Sequence, residues 1–442
     1  MNFKTQIEHV VVLMMENHSF DHMLGWLPGV GELTGNECNE YKGRSYTTLP
    51  ERLTFTTQPG PMHEFCNVNL QVAGTGYKAE DPQPLDDPAS ITMSGFVKDY
   101  ILHADPTGPP PNGENVMACY RPEQLPVISQ LAQTFRVCRR WFCSVPGPTG
   151  PNRIYANCAS SAGYAGGSYQ ATLQCPGGNG MMPSEMMGLS SIFGVVAANG
   201  GTWGVYHEDP ITSKDPFFSP ELILNDVRAH PVWVQRDPGF KAFYGNIQAG
   251  VMPNYSFLTP NLWRNSQHPS DDVRYGECVM ANVYEMIANS SYWEKTLLVI
   301  TYDEHGGFYD SVPTPTGVPN PDGQNWTPPP PPSTDAGPPF FFDRLGVRVP
   351  AILISPYIEA QVDDTQYEHS SIPATVMQLF GLTWPDLPPP APPHQRNQRI
   401  EKANTFKTAI GSTLRKDVPL TLPRPPAGTG DYTPLPPPLF PV

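Results

Sequence analysis

The sequence predicts an α/β fold in which one large, mainly parallel β-sheet is sandwiched between helices. Three short, continuous apolar runs have the length and composition of strands that are buried on both faces of a parallel sheet. Helical patterns lie between and after these runs, and alternating strands and helices are typical of α/β sheets. Polar clusters follow the first two runs, at the position where such sheets collect functional groups.

The predicted strands share an uninterrupted aliphatic sequence. They are residues 9–14 (HVVVLM), 296–302 (TLLVITY) and 349–355 (VPAILIS). All three are expected to be parallel members of the same sheet.

Two helices are predicted from apolar periodicity and capping residues. The first covers residues 273–289, and the Asp271-Asp272 pair is placed to cap its N-terminus. The second covers residues 372–380, where Ser371 is the expected cap and Gly381 ends the helix.

The composition of the 442-residue chain excludes several classes of protein. With 39% hydrophobic and 16% charged residues, it lacks the signature of intrinsic disorder. A net charge of −15 argues against nucleic acid as a partner and against anchoring on strongly anionic lipid. No apolar run is long enough to span a membrane, and the N-terminal run is too short for a signal peptide of the usual form. The localisation is thus expected to be cytoplasmic, or outside the cell by a signal-independent route. The 8 cysteines form no CxxC pair, so neither a disulfide scaffold nor a zinc ribbon is indicated.

Proline is the unusual residue: the chain contains 55, more than twice the average share of about 5%. We predict an α/β domain over residues 1–384 that carries a loop-rich excursion at 26–122 and a proline-rich insert at 313–339. A proline-rich tail, residues 385–442, is expected to pack on the same domain. These proline segments are either polyproline straps on the protein's own surface or ligands for a polyproline-binding partner.

Two polar pairs follow two of the predicted strands. Glu16-Asn17 ends the first strand and Asp303-Glu304 ends the second. Folding is expected to bring three carboxylates and one amide oxygen together at one edge of the sheet. A hard divalent cation with oxygen ligands would relieve the resulting repulsion. The alternative is that each pair only begins a loop.

Along the sequence, between these two pairs, the segment SVPGPTGPNR carries a hydroxyl flanked by prolines, that of Thr149. Pro151 suits the first turn of a helix, so Thr149 or Gly150 is expected at its cap, with backbone N–H groups facing an anion. A threonine there could attack phosphorus if a metal lowers the pKa of its hydroxyl. The alternative is a plain capping threonine.

Histidines could supply the remaining groups of a phosphoryl transfer, which needs neutralised oxygens and a proton for the leaving alcohol. In HPSDD, Asp271 and Asp272 follow His268 closely enough for one of them to orient the imidazole and raise its pKa. No spacing rule ranks the others that lie in polar surroundings, which are His63, His207, His305 and His369.

Five ordered motifs spanning roughly residues 8–382 resemble one known family. They are ENHSFDHMLG, PGPTGPNR, HPSDDV, TYDEHGGFYD, and VRVPAILISPYI with EHSSIPATVMQLFGL. The chain is similar to the phosphoesterases that include non-specific phospholipases C and some acid phosphatases, a branch of the alkaline-phosphatase-like superfamily. This resemblance implies one α/β sheet sandwiched by helices, in agreement with the strand pattern.

The resemblance also implies roles for individual residues. Thr149 corresponds to the nucleophile that becomes transiently phosphorylated, and His63 (in PGPMHEF) and His268 to phosphate-binding or acid–base histidines. His207 (in WGVYHEDP) matches by its order, at a position where only the acid-phosphatase-like members carry a histidine. Asp272 would orient a histidine or lie behind the ligands. The implied metal ligands are Glu16, Asn17, Asp303 and Glu304.

Two positions depart from the family pattern. Many relatives read DEHGGFYDHV, whereas this chain has Ser311 after Asp310. Gly150 stands where relatives often have a bulkier residue, so a more open mouth is expected around Thr149.

The predicted function is that of a metal-dependent phosphoesterase, a phospholipase C that releases diacylglycerol from glycerophospholipids through a phosphothreonine intermediate. It implies one or more divalent metal ions and a transient contact with a membrane surface. One alternative is an acid phosphatase of the same fold, which would hydrolyse phosphomonoesters. Another, of a different class, is a binding protein that displays polyproline and would keep its activity without Thr149.

Overall fold

The computed structural model describes residues 3–48, 54–74, 76–77, 85, 87–104, 108–166, 184–208, 220–328, 338–387 and 394–426. Its main sheet has eight strands in the order β11-β4-β10-β9-β1-β8-β6-β7. These strands are β1 (His9–Met15), β4 (Arg136–Cys138), β6 (Trp203–His207), β7 (Val234–Arg236), β8 (Tyr255–Thr259), β9 (Thr296–Tyr302), β10 (Ala351–Ile354) and β11 (Gln361–Asp363). Two small sheets pair β2 (Cys38–Tyr41) with β3 (Arg44–Thr47), and β5 (Trp141–Phe142) with β12 (Tyr367–Glu368).

The main sheet confirms the predicted α/β architecture. Strand β1 is central and pairs in parallel with both β8 and β9. Every residue of β1 and β9 is buried, as their uninterrupted aliphatic sequences indicate.

The prediction that all three aliphatic strands are parallel is wrong for the third. Strand β10 pairs antiparallel with both β9 and β4. A parallel neighbour needs a crossover back to the opposite edge of the sheet, usually through a helix. The antiparallel pairing shows that the chain re-enters the sheet from the edge at which β9 left it, and the described residues between the two strands contain no helix.

Thirteen α-helices lie in the described ranges. They are α1 (Phe20–Leu24), α2 (Phe65–Ala73), α3 (Phe96–His103), α4 (Glu114–Met117), α5 (Pro126–Thr134), α6 (Thr149–Cys158), α7 (Ser184–Met187), α8 (Ile192–Ala198), α9 (Asn225–Arg228), α10 (Lys241–Gln248), α11 (Val273–Ala288), α12 (Ser371–Phe380) and α13 (Gln398–Lys402).

The two predicted helices are present as α11 and α12. The side chain of Asp272 caps α11 by accepting a hydrogen bond from the backbone N–H of Arg274. The expected cap of α12 is one residue off: Ser371 is already helical, and Ser370 stands at the cap without a side-chain hydrogen bond. Gly381 ends α12 at a φ of 64°, in the left-handed region that glycine tolerates.

Residues 26–122 are more regular than predicted. This excursion contains α2, α3, α4 and the β2–β3 hairpin. Their apolar side chains form a second core, which also includes Tyr309 and Val347 from the loops between β9 and β10. Short amphipathic elements interrupted by Gly and Pro carry too little periodicity for sequence patterns to reveal them.

Part of the proline-rich tail packs against the main core. Ile400, Phe406, Ala409 and Leu422 belong to the same buried cluster as the central strands. The segments 329–337, 388–393 and 427–442 lie outside the described residues, and with them the proline run after Pro328 and the end of the tail. The predicted boundary at residue 384 stays a prediction.

None of the helices in the described ranges combines the length and apolarity that crossing a membrane requires.

A buried arginine ties the sheet to the loops at its carboxyl edge. The Arg348 side chain is fully buried and bonds Asp310 Oδ1 at 3.0 Å and Asp21 Oδ1 at 2.7 Å. It also reaches Glu32 Oε2 at 3.2 Å. Ser311, which departs from the family pattern, donates its hydroxyl to Asp21 Oδ2 at 2.6 Å. The cation thus holds helix α1 and the loop after β9 against the strand β10.

Replacement of Arg348 should destabilise the protein strongly. Arg348→Met leaves Asp21 and Asp310 buried without their cation, and breaking such a pair costs about 3–5 kcal/mol. Urea denaturation followed by circular dichroism measures the loss. The matched control is Arg44→Met, whose exposed pair with Glu114 contributes little. Equal midpoints for the two variants would contradict the assignment.

Candidate active site

The two polar pairs lie side by side because β1 and β9 are adjacent and in register. Met15 pairs with Tyr302, so the residues that follow each strand leave the sheet together. The backbone N–H of Asn17 donates to Asp303 Oδ1 at 3.1 Å, and Glu16, Asn17, Asp303 and Glu304 are all fully buried. The structure therefore brings together the four residues that the sequence singled out as metal ligands.

A close backbone approach holds this edge together. Asn17 has a φ of 56°, a left-handed conformation that asparagine tolerates better than most residues. The loop after Glu304 passes so near that a Cβ on Gly306 would lie 2.1 Å from the Asn17 carbonyl oxygen. Gly306 also donates its N–H to Glu304 Oε2 at 2.7 Å. Glycine is required here by space as well as by its φ of 64°.

Thr149 faces the acidic edge from the start of helix α6. Its hydroxyl donates to Glu16 Oε2 at 3.2 Å. The expected cap is one residue off, because Pro148 is at the cap and Thr149 is the first helical residue. The preceding loop is fixed by Asn152, whose amide nitrogen donates to the carbonyls of Val145, Gly147 and Pro148.

Arg153 is a further site residue, for which the sequence predicted no role. Its buried guanidinium donates to Glu16 Oε1 at 2.5 Å and to the Met14 carbonyl at 3.1 Å. Its Nε lies 3.6 Å from Asp303 Oδ2. The signal was available in the sequence, because residues four apart lie on the same face of a helix and Arg153 is one turn beyond Thr149.

Three buried oxygens at this edge have no hydrogen-bond partner: Asn17 Oδ1, Asp303 Oδ2 and Glu304 Oε1. Burial, together with the charges of the neighbouring carboxylates, raises the pKa of both Asp303 and Glu304. Carboxylate and amide oxygens are the donors that hard divalent cations prefer, so the residues fit such a metal chemically. Within the described ranges, however, His, Cys, Asp and Glu side chains form no ready-made group of three around one point.

His63 and His268 flank this cluster on its open side. His63 Nε2 lies 3.8 Å from Glu304 Oε1, and the ring centroids of the two histidines are 6.0 Å apart. Burial and the neighbouring His268 lower the pKa of His63 to about 4. Both sequence-predicted histidines therefore lie near the acidic pairs.

The expected orientation of His268 by Asp271 or Asp272 is not seen among the described residues: no hydrogen bond joins the imidazole to either carboxylate, and its Nδ1 instead lies against the carbonyl oxygen of Pro269. The carboxylate of Asp272 caps helix α11 and binds the guanidinium of Arg274, at 2.5 Å from Nη2. Burial lowers the pKa of His268, whereas the sequence analysis expected an increase. The helix start at Val273 turns Asp272 toward its own N–H groups, a competition that residue spacing does not reveal.

His207 occupies a separate place at the end of β6. Its Nε2 lies 3.4 Å from Glu221 Oε1. Glu221 accepts a hydrogen bond from Thr259 at 3.2 Å, and Thr259 accepts one from Arg153 at 3.3 Å. His207 is thus linked to Glu16 through intervening side chains. Burial and the charge of Arg153 lower its pKa to about 3.

The unranked histidines His305 and His369 both brace the acidic edge. His305 Nε2 lies 2.7 Å from the Gln71 side-chain oxygen, and its Nδ1 is 3.4 Å from Glu304 Oε2. His369 Nε2 lies 2.6 Å from the Asp303 carbonyl. Gln71 comes from helix α2, so the excursion at 26–122 contributes to the site.

The chain is similar to known proteins over most of its length. The sequence profile of the phosphoesterase family matches residues 7–383. Non-specific phospholipase C6 of Arabidopsis thaliana is 34% identical over 446 residues, which cover 95% of this chain and 76% of that protein. Phospholipase C A of Mycobacterium tuberculosis (strain H37Rv) is 29% identical over 411 residues, covering 87% of this chain and 74% of that one.

Solved structures add a distant likeness. A protein of the alkaline phosphatase superfamily from Vibrio parahaemolyticus superposes with a TM-score of 0.36 at 12% identity, covering 59% of this chain and 61% of that chain. We draw no conclusion from a superposition of this extent. The match to the family profile over most of the chain, with relatives above 30% identity, shows that the chain belongs to the phosphoesterase family and is a hydrolase acting on phosphoric ester bonds.

Proposed function

We propose that this protein is a metal-dependent phospholipase C that works through a phosphothreonine intermediate. The observation that carries the proposal is the position of Thr149, whose hydroxyl meets Glu16 at 3.2 Å where three buried oxygens lack a partner. Relatives at 34% identity are named non-specific phospholipases C, which supports the choice of reaction.

The metal would be held by Glu16, Asn17, Asp303 and Glu304. When bound, a divalent cation there would lower the pKa of a neighbouring hydroxyl and neutralise charge on phosphoryl oxygens. Arg153 keeps Glu16 and Asp303 oriented from behind through its bonds to both side chains.

Thr149 supplies the nucleophile. Its Oγ forms a bond to phosphorus while the bond from phosphorus to the glyceride oxygen breaks. The N–H groups of Thr149 and Gly150 belong to the first turn of α6 and can receive phosphoryl oxygens. Water then attacks phosphorus, which frees Thr149 and releases the phosphorylated headgroup.

Proton transfer is assigned to His63 or His268, whose lowered pKa leaves the imidazole neutral, so that it can accept the proton of the Thr149 hydroxyl and then pass it to the leaving alcohol. His63 Nε2 lies 3.8 Å from Glu304 Oε1, the ring of His268 lies 6.0 Å from that of His63, and a positioned imidazole is the commonest group for this task. Which of the two donates is decided by the pose of the lipid.

Phosphomonoester hydrolysis is the second candidate function. His207 favours it, because the resemblance associates a histidine at this position with acid phosphatases. Its link to Arg153 through Glu221 and Thr259 would couple it to the same edge. The substrate comparison below separates the two activities.

Thr149→Ala should abolish turnover of a chromogenic phosphodiester, while Thr149→Ser keeps part of the activity because it retains the hydroxyl. Folding should persist, because Thr149 lies at a helix end and not in the core. The matched control is Ser191→Ala, which removes the capping hydroxyl of α8 away from the site. More than a few per cent of activity in a folded Thr149→Ala protein would refute the nucleophile.

Asp303→Asn and Glu16→Gln should each weaken both metal binding and activity, because ligand charge sets the affinity for a hard cation. Elemental analysis of the purified protein and calorimetric titration with Mn²⁺ give the two readouts. Glu285→Gln is the control, since this buried carboxylate binds Leu422 and Arg424 outside the site. Full activity of metal-free wild type after exhaustive chelation would overturn the metal assignment.

Phosphatidylcholine should be cleaved faster than phosphatidylglycerol at equal surface density. A chain of net charge −15 is repelled by anionic bilayers. Added salt should narrow the difference between the two cleavage rates, because it screens this repulsion. An aromatic side chain that could attract a quaternary ammonium lies beside the site, because Trp263, which is 63% exposed, has its ring centroid 5.5 Å from that of His268.

Chromatography of the lipid products tests this preference. Diacylglycerol must be released in place of phosphatidic acid, since Thr149 would retain the phosphoryl headgroup. Rapid hydrolysis of phosphomonoesters with no diacylglycerol from any lipid would replace the proposal by the acid phosphatase alternative.

A further inference from the structure

His369 is fully buried, and both nitrogens of its ring have a partner in the protein. Trp141 Nε1 lies 3.2 Å from His369 Nδ1, and His369 Nε2 lies 2.6 Å from the carbonyl oxygen of Asp303. An indole N–H only donates, and a carbonyl oxygen only accepts. His369 Nδ1 must therefore be the acceptor and Nε2 must carry the hydrogen, so the two contacts together select one neutral tautomer of the ring.

The bond from His369 satisfies a carbonyl that the sheet leaves behind. Asp303 follows the last residue of β9, and the pairing of β9 with β1 ends at Tyr302, so the Asp303 carbonyl lies beyond the hydrogen bonds of the sheet. The N–H of Asp303 donates to the Met15 carbonyl at 3.1 Å. A buried carbonyl without a donor is costly. His369 supplies that donor, so the backbone of Asp303 is held at both its N–H and its carbonyl.

The backbone of His369 reaches the segment that carries Thr149. Its N–H donates to Ser144 Oγ at 3.2 Å, and the Ser144 hydroxyl donates to Glu368 Oε2. Ser144 is fully buried, and it directly precedes the loop that leads into α6 and Thr149. His369 is therefore bonded to the acidic edge through its ring and to the start of this loop through its backbone.

The connection from Ser144 to Thr149 is short and fixed by side-chain bonds. Asn152 Oδ1 accepts a hydrogen bond from the N–H of Val145 at 2.9 Å, and the amide nitrogen of Asn152 donates to the Pro148 carbonyl at 3.1 Å. Proline fixes the φ angle of its own residue, which removes further freedom from this loop. A displacement of Ser144 is therefore passed on to the Thr149 hydroxyl.

We propose that His369 is a positioning residue that sets where the Thr149 hydroxyl stands relative to the acidic edge, and that Trp141 selects the tautomer this requires. The inference rests on the role proposed above for Thr149. His369 acts through Asp303 and Ser144 and not on the substrate itself. Misplacement of a reacting group by about 1 Å can cost about 100-fold in rate, so loss of His369 should affect turnover more than substrate binding.

Three replacements of His369 separate positioning from packing. His369→Ala should lower kcat on a soluble chromogenic phosphodiester by about tenfold or more, while KM changes little. His369→Gln should restore part of this loss, because its side chain can place an amide N–H near the Nε2 position that bonds Asp303. His369→Asn reaches only the Nδ1 position beside Trp141, so it should restore less.

The matched control is His9→Ala. His9 is also buried, and its Nδ1 lies 2.8 Å from the Pro253 carbonyl at the other end of β1. This variant removes a comparable contact between a histidine and a carbonyl away from the site, so kcat should stay at the wild-type value.

Nuclear magnetic resonance of protein with ¹⁵N-labelled histidine gives a readout that does not depend on activity. In wild type without added metal or substrate, His369 should carry its hydrogen on Nε2, and the spectrum of His369→Ala identifies its signals. Trp141→Phe lacks the indole N–H, so the tautomer with hydrogen on Nδ1 should become populated and kcat should fall several-fold.

A wild-type kcat in folded His369→Ala would overturn the proposal, and so would a wild-type spectrum with the hydrogen on Nδ1. If His369→Ala fails to fold, equal kcat values for His369→Gln and His369→Asn overturn it instead, and Trp141→Phe identifies the signals. Failure of the proposed function is distinguishable from these outcomes. Activity retained by Thr149→Ala would refute the nucleophile and leave the tautomer of His369 unchanged.

Discussion

The guanidinium of Arg153 lies between two carboxylates at the carboxyl edge of the central strands, 2.5 Å from Glu16 Oε1, with its Nε 3.6 Å from Asp303 Oδ2. Parallel pairing of β1 and β9 brings these acids into the same buried space, where like charges repel. The buried cation offsets that repulsion from the helix that also carries Thr149. Sheet, helix and acidic edge therefore depend on one ion-pair arrangement, and the nucleophile is positioned by the same helix turn that stabilises the acids.

Buried arginines with carboxylate partners recur wherever distant segments meet. Arg348 joins α1 and the loop after β9 to the start of β10, and Arg399 of the tail meets Glu368 of β12. Each cation has a fixed set of acceptors, so it fixes the geometry of loops that lack regular structure. These ion pairs hold loops in place in a chain whose 55 prolines limit the length of helices and strands. Arg344 differs from them, because its Nη2 donates to Asn69 whereas its Nη1 has no hydrogen-bond partner.

Much of the site is braced by the excursion at residues 26–122. Gln71 donates its side-chain amide to the Met62 carbonyl at 2.9 Å and to Asp99 Oδ2 at 2.7 Å. Both amide hydrogens are thus used, and its oxygen is left to accept from His305 beside Glu304. His369 also supports Asp303, because its Nε2 lies 2.6 Å from the Asp303 carbonyl oxygen. Loops supported by a rigid sheet are common carriers of function.

Local sequence was sufficient to identify three of the eight strands of the central sheet (β1, β9 and β10), helices α11 and α12, and the polar pairs that follow β1 and β9. These features depend on residue type and spacing along a continuous segment, so physical rules of periodicity and strand ends apply to them. The direction of β10 required the tertiary structure, because it depends on the path of the long connection after β9. The role of Asp272 did too, since helix capping and Arg274 compete for its carboxylate. Contacts among Arg153, Gln71, His305 and the acidic pairs join residues that are distant in sequence, and only folding decides which of them meet.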